Sequence, residues 1–236
     1  MLLLHETHRV DGRNEREFEA RIREEWMPAL GGTDDARLLY FLHHAVGTGA
    51  SYRVVTISAL RDGAAWERLA RRIHEGDLRA VAKGLDDVRH DVVGKLLVPL
   101  PWSPLRQVDL DRVPTDPQDH ELSLFMEDTV WPYEGHLDDY IEAAGAHYSK
   151  EIAERNAEGR SLITLEAGLR TAFGSGRRRE IVLWQKIRDQ RALGGLIAHE
   201  VPERYKQPGM WMHDALALRD QWESRLLRTS RWSPCW

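Results

Sequence analysis

The residues best equipped for proton chemistry lie in the first fifth of the chain. "HETH" places His5, Glu6 and His8 within four positions, and "FLHHAV" adds His43 and His44. An imidazole titrates near neutrality, and a neighbouring carboxylate can orient it and tune its basicity. Spacing decides which of these groups can work together. If "LLLHETHRV" is a strand, alternation puts His5 and Thr7 on one face and Glu6 and His8 on the other. His43 and His44 also point to opposite faces. We expect Glu6 and His8 to form the base pair, with His43 or His44 orienting or donating; strand register decides which of the two joins. Two other readings of these histidines stand beside this one: a metal site of two His and one carboxylate, and an inert, hydrogen-bonded strand end. Alternation separates His5 from His8, which argues against both ligating one ion. No HExxH-type spacing occurs, so no metal and no cofactor is expected.

The elements that must hold these groups follow from periodicity. Leu2–Val10 is apolar and then alternates, as a strand does. "NEREFEARIREEWMPAL" spaces Phe18, Ile22, Trp26 and Leu30 four apart, the stripe of an amphipathic helix. "ARLLYFLHHAV" and "YRVVTISAL" are β-rich runs flanking "GTGA", a hairpin. "RDGAAWERLARRIHEGD" is a helix with Trp66, Leu69 and Ile73 on one face, capped by Asp62. "LDDVRHDVVGKLLVPLPW" runs from a short helix into a last strand. The order β-α-β-β-α-β is the split βαβ, ferredoxin-like pattern. Trp26, Tyr40 and Trp66 are the aromatic side chains expected to bind substrate.

The chain then repeats itself. "KLLVPLPWSPL" (Lys95 to Leu105) matches "RLLRTSRWSPC" (Arg225 to Cys235), and "GTGASYRVVTISALRD" (Gly47 to Asp62) matches "GSGRRREIVLWQKIRD" (Gly174 to Asp189). Equivalent residues are 127 apart at Gly47 and Gly174 and 130 apart at Trp102 and Trp232. A three-residue insertion, placed in "KQPGMWM" (Lys206 to Met212), accounts for the change. The period is too long for a solenoid and reads as a tandem duplication. Residues 1–110 form the first copy and 121–236 the second. Residues 111–120 link them, within an acidic, proline-containing stretch from Val108 to His120. A single four-stranded sheet leaves one face bare; two facing sheets cover each other as a barrel. The expected fold is α+β: two fused ferredoxin-like halves forming an intramolecular dimeric-type α+β barrel. Trp-Ser-Pro then reads as structure, with Trp plugging the barrel edge and Ser-Pro ending the strand.

If duplication preserves structure, chemistry should lie where the copies diverge. The positions equivalent to His43 and His44 are Arg170 and Thr171, and the second copy's first strand has no histidine. That strand carries Glu127 and Asp128 instead. Glu166 and Arg170 share strand parity and are expected to pair. His147 and Tyr148 lie on the second copy's first helix, as Glu25 and Trp26 do in the first, and Trp184 and Trp211 are expected to pack in the core, with shaping an apolar cavity as the alternative.

The (K/R)LL-x4-WSP tail and the architecture of both copies resemble the NIPSNAP family, within the dimeric α+β barrel superfamily. The chain departs from that family's pattern by fusing two domains. The resemblance implies either a member of uncharacterised function or a small-molecule enzyme; the superfamily includes cofactor-free oxygenases, isomerases, polyketide cyclases and haem-using enzymes. The sequence has neither a nucleotide-binding glycine fingerprint nor a G-x-S-x-G nucleophile elbow.

Composition narrows the partners. The net charge is -5, and the basic run Arg177–Arg179 reads as a solvated hairpin tip, so no nucleic-acid partner is expected. The single cysteine, Cys235, cannot build a disulfide framework. "MLLLHETHRV" turns polar too early for a signal or membrane anchor, so a cytoplasmic protein without a membrane partner is expected. The expected function is a cofactor-free enzyme that isomerises, cyclises or eliminates a mostly apolar small molecule by His/Glu proton transfer. The alternatives are a non-catalytic ligand-binding or scaffold protein and a cofactor-free monooxygenase. The protein is expected to be a monomer or a homodimer.

Overall fold

The computed structural model describes every residue except Arg160 and Ser175–Arg177, so Ser175 and Gly176 of "GSG" and Arg177 of the basic run lie outside the described residues. Eight strands form: β1 (Leu2–Val10), β2 (Ala36–His44), β3 (Arg53–Leu60), β4 (Arg89–Pro99), β5 (Leu124–Trp131), β6 (Ile163–Phe173), β7 (Ile181–Ile187) and β8 (Gln221–Thr229). They close into one barrel in the order β1-β3-β2-β8-β5-β7-β6-β4. The first four strands are adjacent as 4-1-3-2, and the last four as 8-5-7-6. Among the described residues two ladders join these groups, with His44 opposite Leu227 between β2 and β8, and Leu97 opposite Thr171 between β4 and β6. Closure leaves no strand edge open.

The ladders repeat at the sequence offsets. Leu42 opposes Val55 as Leu169 opposes Val182, and His5 opposes Lys95 as Glu127 opposes Arg225. The irregularities repeat as well. A bulge follows Leu38 in β2 and the equivalent Leu165 in β6. The first helix of each group contains a π-turn at the same place: Ile22–Trp26 between Glu15–Arg21 and Met27–Gly31, and Ala144–Ser149 between Leu137–Ala143 and Lys150–Ala157. No helix is long and apolar enough to cross a membrane among the described residues.

Strand alternation divides the apolar side chains into three layers. Leu4, Val10, Leu38, Phe41 and Val54 face outward and are covered by Phe18, Ile22, Met27 and Leu69 of the first group's helices. Leu3, Leu39, Val55, Ile57, Phe125, Trp184 and Leu227 fill the barrel interior. Val130, Leu165, Ile181 and Leu183 pack under Tyr140, Ile141 and Ile152. The stretch expected to be only a linker contributes Leu110 and Val113 to the interior layer, so it closes that end of the barrel.

The two Trp-Ser-Pro segments cross over. Trp102, at the end of the first group's β4, lies in the helix–sheet layer of the second, and its Nε1 donates to the Ile141 carbonyl at 2.7 Å. Trp232 lies in the helix–sheet layer of the first group, and its Nε1 donates to Glu19 Oε1 at 2.7 Å. The serines explain the rest of the motif. Ser103 Oγ accepts from Gly168 N at 3.0 Å and donates to the Leu105 carbonyl at 2.9 Å. Ser233 Oγ accepts from Phe41 N at 3.1 Å and donates to the Cys235 carbonyl at 2.8 Å. Phe41 and Gly168 are equivalent and lie just past the bulges, where the strand amide needs a partner other than its ladder. Each tail thus satisfies a backbone donor in the opposite group.

Candidate active site

The structure places the histidines of β1 in two separate compartments. Glu6 and His8 face the helices. With Ile22, Trp26, Thr56, Ile73, Ala82, Leu85 and Arg89 they line a pocket of about 70 Å³. Arg89 can only donate, so its Nη1 contact of 2.8 Å makes His8 Nδ1 an acceptor. His8 Nε2 therefore carries the proton and donates to Thr56 Oγ1 at 2.9 Å, while Thr56 reaches Glu6 Oε2 at 3.5 Å. Burial, then Arg89 and His5, push the His8 imidazole well below its ordinary value, so it stays neutral. Burial pushes the Glu6 carboxyl up, with Arg89 and Thr56 opposing. The lone pair that His8 would need as a base is thus occupied. The pocket has room for about two waters at ~30 Å³ each and none for a haem.

The other residues expected at this site lie elsewhere. His43 faces Glu15 and Glu19, with Nδ1 3.3 Å from Glu15 and Nε2 3.2 Å from Glu19 and from Ser230. His44 is on the opposite face of β2, near Arg225 and Glu127. Neither joins Glu6 and His8, because those two side chains point at β3 and the helices while the ends of β2 meet the second group's tail. Tyr40 lies inside the barrel, edge-on to Phe125 and tilted against Trp184, and Trp66 packs on the outer helix layer; of the three aromatics, Trp26 alone lines the pocket. Tyr40 turns inward because the bulge after Leu38 breaks the alternation. The equivalent bulge separates Glu166 from Arg170, which do not pair; the Glu166 carboxyl, pushed up by burial, feels Lys186 and Arg188 instead.

His5 belongs to the second compartment. It lines a cavity of about 590 Å³ that opens at one mouth of the barrel, with Thr7, Arg9, Arg53, Asp91, Val93, Lys95, Trp131, Gly174, Glu180, Glu223 and Arg225. On its floor His5 Nε2 meets Glu127 Oε2 at 2.6 Å. Glu127 is fully buried and His5 is 2% exposed. Burial alone would push the Glu127 carboxyl up, but His5, Lys95 and Arg225 hold it down at about 2. An ionised Glu127 accepts, so His5 Nε2 donates, and Nδ1 is left as the basic nitrogen. Nδ1 makes no hydrogen bond among the described residues and is not sealed from solvent.

This is the geometry of an oriented general base: a carboxylate behind the imidazole and a free nitrogen at an open cavity. Around it, Lys95 Nζ donates to Glu180 Oε1 at 2.6 Å, Arg225 Nε donates to Glu223 Oε1 at 2.8 Å, and Arg9 pairs with Asp91 at 2.8 Å. The His5–Glu127 contact joins equivalent residues of the two groups, since each opposes an equivalent partner, Lys95 or Arg225. Glu127's neighbour Asp128 faces outward into a closed network with Gln185, Ser224 and Tyr148. Trp184 packs in the barrel interior and Trp211 against Tyr140 and Tyr148, and His147 is exposed. No group of three or more His, Cys, Asp or Glu side chains among the described residues is placed to hold a metal ion.

No family model matches the sequence, and no curated protein matches it. Solved structures resemble the fold. An anthrone oxidase-like protein is 11% identical, with a TM-score of 0.57, over 97% of this chain and 91% of that one. A proposed monooxygenase from Lactobacillus acidophilus is 9% identical, with a TM-score of 0.58, over 99% and 96%. A NIPSNAP family protein from Agrobacterium tumefaciens is 19% identical, with a TM-score of 0.36, over 44% of this chain and 98% of that one. The chain shares the α+β barrel fold of the first two of these structures.

Proposed function

We propose that the protein is a small-molecule enzyme that moves a proton at the mouth of its barrel, with His5 as general base or acid and Glu127 as the carboxylate that orients it. The observation that carries this reading is the 2.6 Å His5–Glu127 contact on the floor of a 590 Å³ cavity, with His5 Nδ1 unengaged. Proton transfer next to a carbonyl, as in an isomerisation, cyclisation or elimination, needs no cofactor. Lys95 and Arg225 would stabilise the negative charge that builds up as the proton leaves. The cavity wall is rich in charged groups, so the substrate is polar rather than mostly apolar. His5 replaces His8 as the base because Arg89 occupies the His8 lone pair and the pocket there is too small for an organic substrate.

The same reading treats the chain as two fused ferredoxin-like halves, 1–110 and 121–236, joined by 111–120. The repeated register, bulges and π-turns support it. Each half then supplies one member of the dyad, and neither half alone contains the site.

The test is to incubate the full chain and its His5→Gln variant with a metabolite extract and follow consumption by mass spectrometry, with and without oxygen. Glutamine keeps a donor to Glu127 and removes the base. The expected result is a compound consumed by the parent protein, with or without oxygen, and spared by the variant. Consumption that requires oxygen would favour the cofactor-free monooxygenase. No consumption by either protein would favour a ligand-binding or scaffold role.

A further inference from the structure

The cavity at the barrel mouth is dense in charge yet neutral in sum. Arg9, Arg53, Lys95 and Arg225 stand among Asp91, Glu180, Glu223 and the ionised Glu127 on the floor. Three of the cations are paired directly: Arg9 with Asp91 at 2.8 Å, Lys95 with Glu180 at 2.6 Å and Arg225 with Glu223 at 2.8 Å. Arg225, and after it Arg53, hold the Glu223 carboxyl below its ordinary value against burial. No net charge is left for a ligand to neutralise. An ion entering the cavity would lose its hydration and compete with pairs already made, whereas an uncharged molecule breaks none of them. The groups in those pairs keep further hydrogen-bonding capacity, since an ammonium has three donors and a carboxylate about four acceptor sites.

The wall also has two characters. Strands β1, β3 and β8 give it polar side chains alone, whereas its apolar side chains, Val93 and Trp131, come from β4 and β5. At the 122-residue offset that relates His5 to Glu127, Trp131 stands where the first copy has Arg9. Trp131 Nε1 donates to Glu180 Oε2 at 3.0 Å, and Glu180 Oε1 accepts from Lys95. That tether holds the indole at the wall with its N–H spent, so the ring contributes apolar surface there. A molecule with C–H groups on one face and hydroxyls around its edge matches both characters at once.

We propose that the substrate is an uncharged hydroxycarbonyl compound of the sugar class, and that the reaction interconverts an aldose and its ketose. This rests on the reading that His5 is the base of the cavity. His5 Nδ1 takes the proton from the hydroxyl-bearing carbon next to the carbonyl, and the C–H electron pair becomes the double bond of an enediolate. Its negative oxygen is held by Lys95, which opposes His5 on the next strand, or by Arg225. The hydroxyl proton passes to that oxygen, and the neighbouring oxygen becomes the new carbonyl. His5 returns its proton to the former carbonyl carbon. Substrate and product have the same formula, so no external oxidant or reductant enters.

The experiment uses the full chain labelled with nitrogen-15 in histidine. The probes are two uncharged sugars, xylose and glucose, and two charged relatives of glucose, glucuronate and glucosamine, at neutral pH. The uncharged sugars are expected to move the His5 resonances saturably. The charged relatives should bind at least about 10-fold more weakly than glucose, a difference of about 1.4 kcal/mol. Trp131→Leu is expected to weaken sugar binding several-fold, and Trp131→Phe to recover part of it. Unchanged resonances of the other histidines show that the variants are folded. In heavy water the parent should place deuterium on the sugar carbon next to the carbonyl and form ketose; His5→Gln should bind sugar without exchange. No saturable shift with either uncharged sugar, equal or tighter binding of a charged relative, or an unchanged affinity in Trp131→Leu would each overturn the proposal. His5-dependent consumption of a charged metabolite would reject the sugar assignment and leave the proton-transfer reading standing. Sugar binding without His5-dependent exchange would reject that reading, and this proposal with it.

Discussion

Glu19→Gln should weaken the protein in a strongly pH-dependent way. Glu19 is on the first helix, yet its carboxylate accepts from Trp232 Nε1 at 2.7 Å and Ser230 Oγ at 2.6 Å, both in the tail that follows β8, and contacts His43 Nε2 at 3.2 Å. Burial opposes its charge, but His43, Ser230 and Trp232 together hold it down at about 2, against 4.5 in the unfolded chain. A gap of that size corresponds to ~3 kcal/mol at about 1.36 kcal/mol per pH unit. The side chain is 28% exposed, and solvent screening reduces the figure to about 2 kcal/mol. A carboxyl with a depressed folded value stabilises fully above the unfolded value. Its contribution fades as pH falls from 4.5 and is gone near 2. Urea unfolding of the parent and variant, repeated from neutral pH down to about pH 2, reads this as a double difference that cancels the other carboxylates. The two should differ by about 2 kcal/mol at neutral pH and converge in acid. A gap that stays constant with pH would refute the claim that charge at Glu19 holds the tail in place.

Two further predictions concern the duplicated tail. Ser103→Ala and Ser233→Ala should each cost about 1–3 kcal/mol in urea unfolding, because each strands a buried strand amide, at Gly168 and Phe41. Gly168→Ala would bring a Cβ within 2.3 Å of the Trp102 ring and should cost about 1–3 kcal/mol. Combined with Trp102→Phe, which shortens the ring, it should cost less than the sum of the single changes; strict additivity would show that the two do not touch.

Much of the fold was legible because the sequence repeats the same patterns twice. The pairing of "WSP" with "WSP" and of "GTG" with "GSG" carried the offsets at which ladders, bulges and π-turns later recur. The alternation of β1 correctly separated His5 and Thr7 from Glu6 and His8. What periodicity could not supply was which compartment each face enters. His5 and Glu127 are 122 residues apart, and their contact arises only when the barrel closes. A signal existed: His5 opposes Lys95 as Glu127 opposes Arg225, so the two hold matching rungs of β1 and β5. The bulges, in "RLLYFL" and "TLEAGL", were invisible because neither stretch alternates strictly between apolar and polar residues, so an extra residue leaves no mark on the pattern. They misled the placement of Tyr40 and the pairing of Glu166 with Arg170. The occupied lone pair of His8 depends on Arg89, whose partner on β1 only the closed sheet reveals.

The measurement that bears most directly on the central claim is the tautomer of His5, read by nitrogen-15 NMR on the histidine-labelled full chain at neutral pH. The account predicts a proton on Nε2, directed at an ionised Glu127, and a bare Nδ1 whose resonance responds to ligands in the cavity. A proton on Nδ1 with a bare Nε2 would mean that Glu127 is the donor and that no base faces the cavity, and the account would fail.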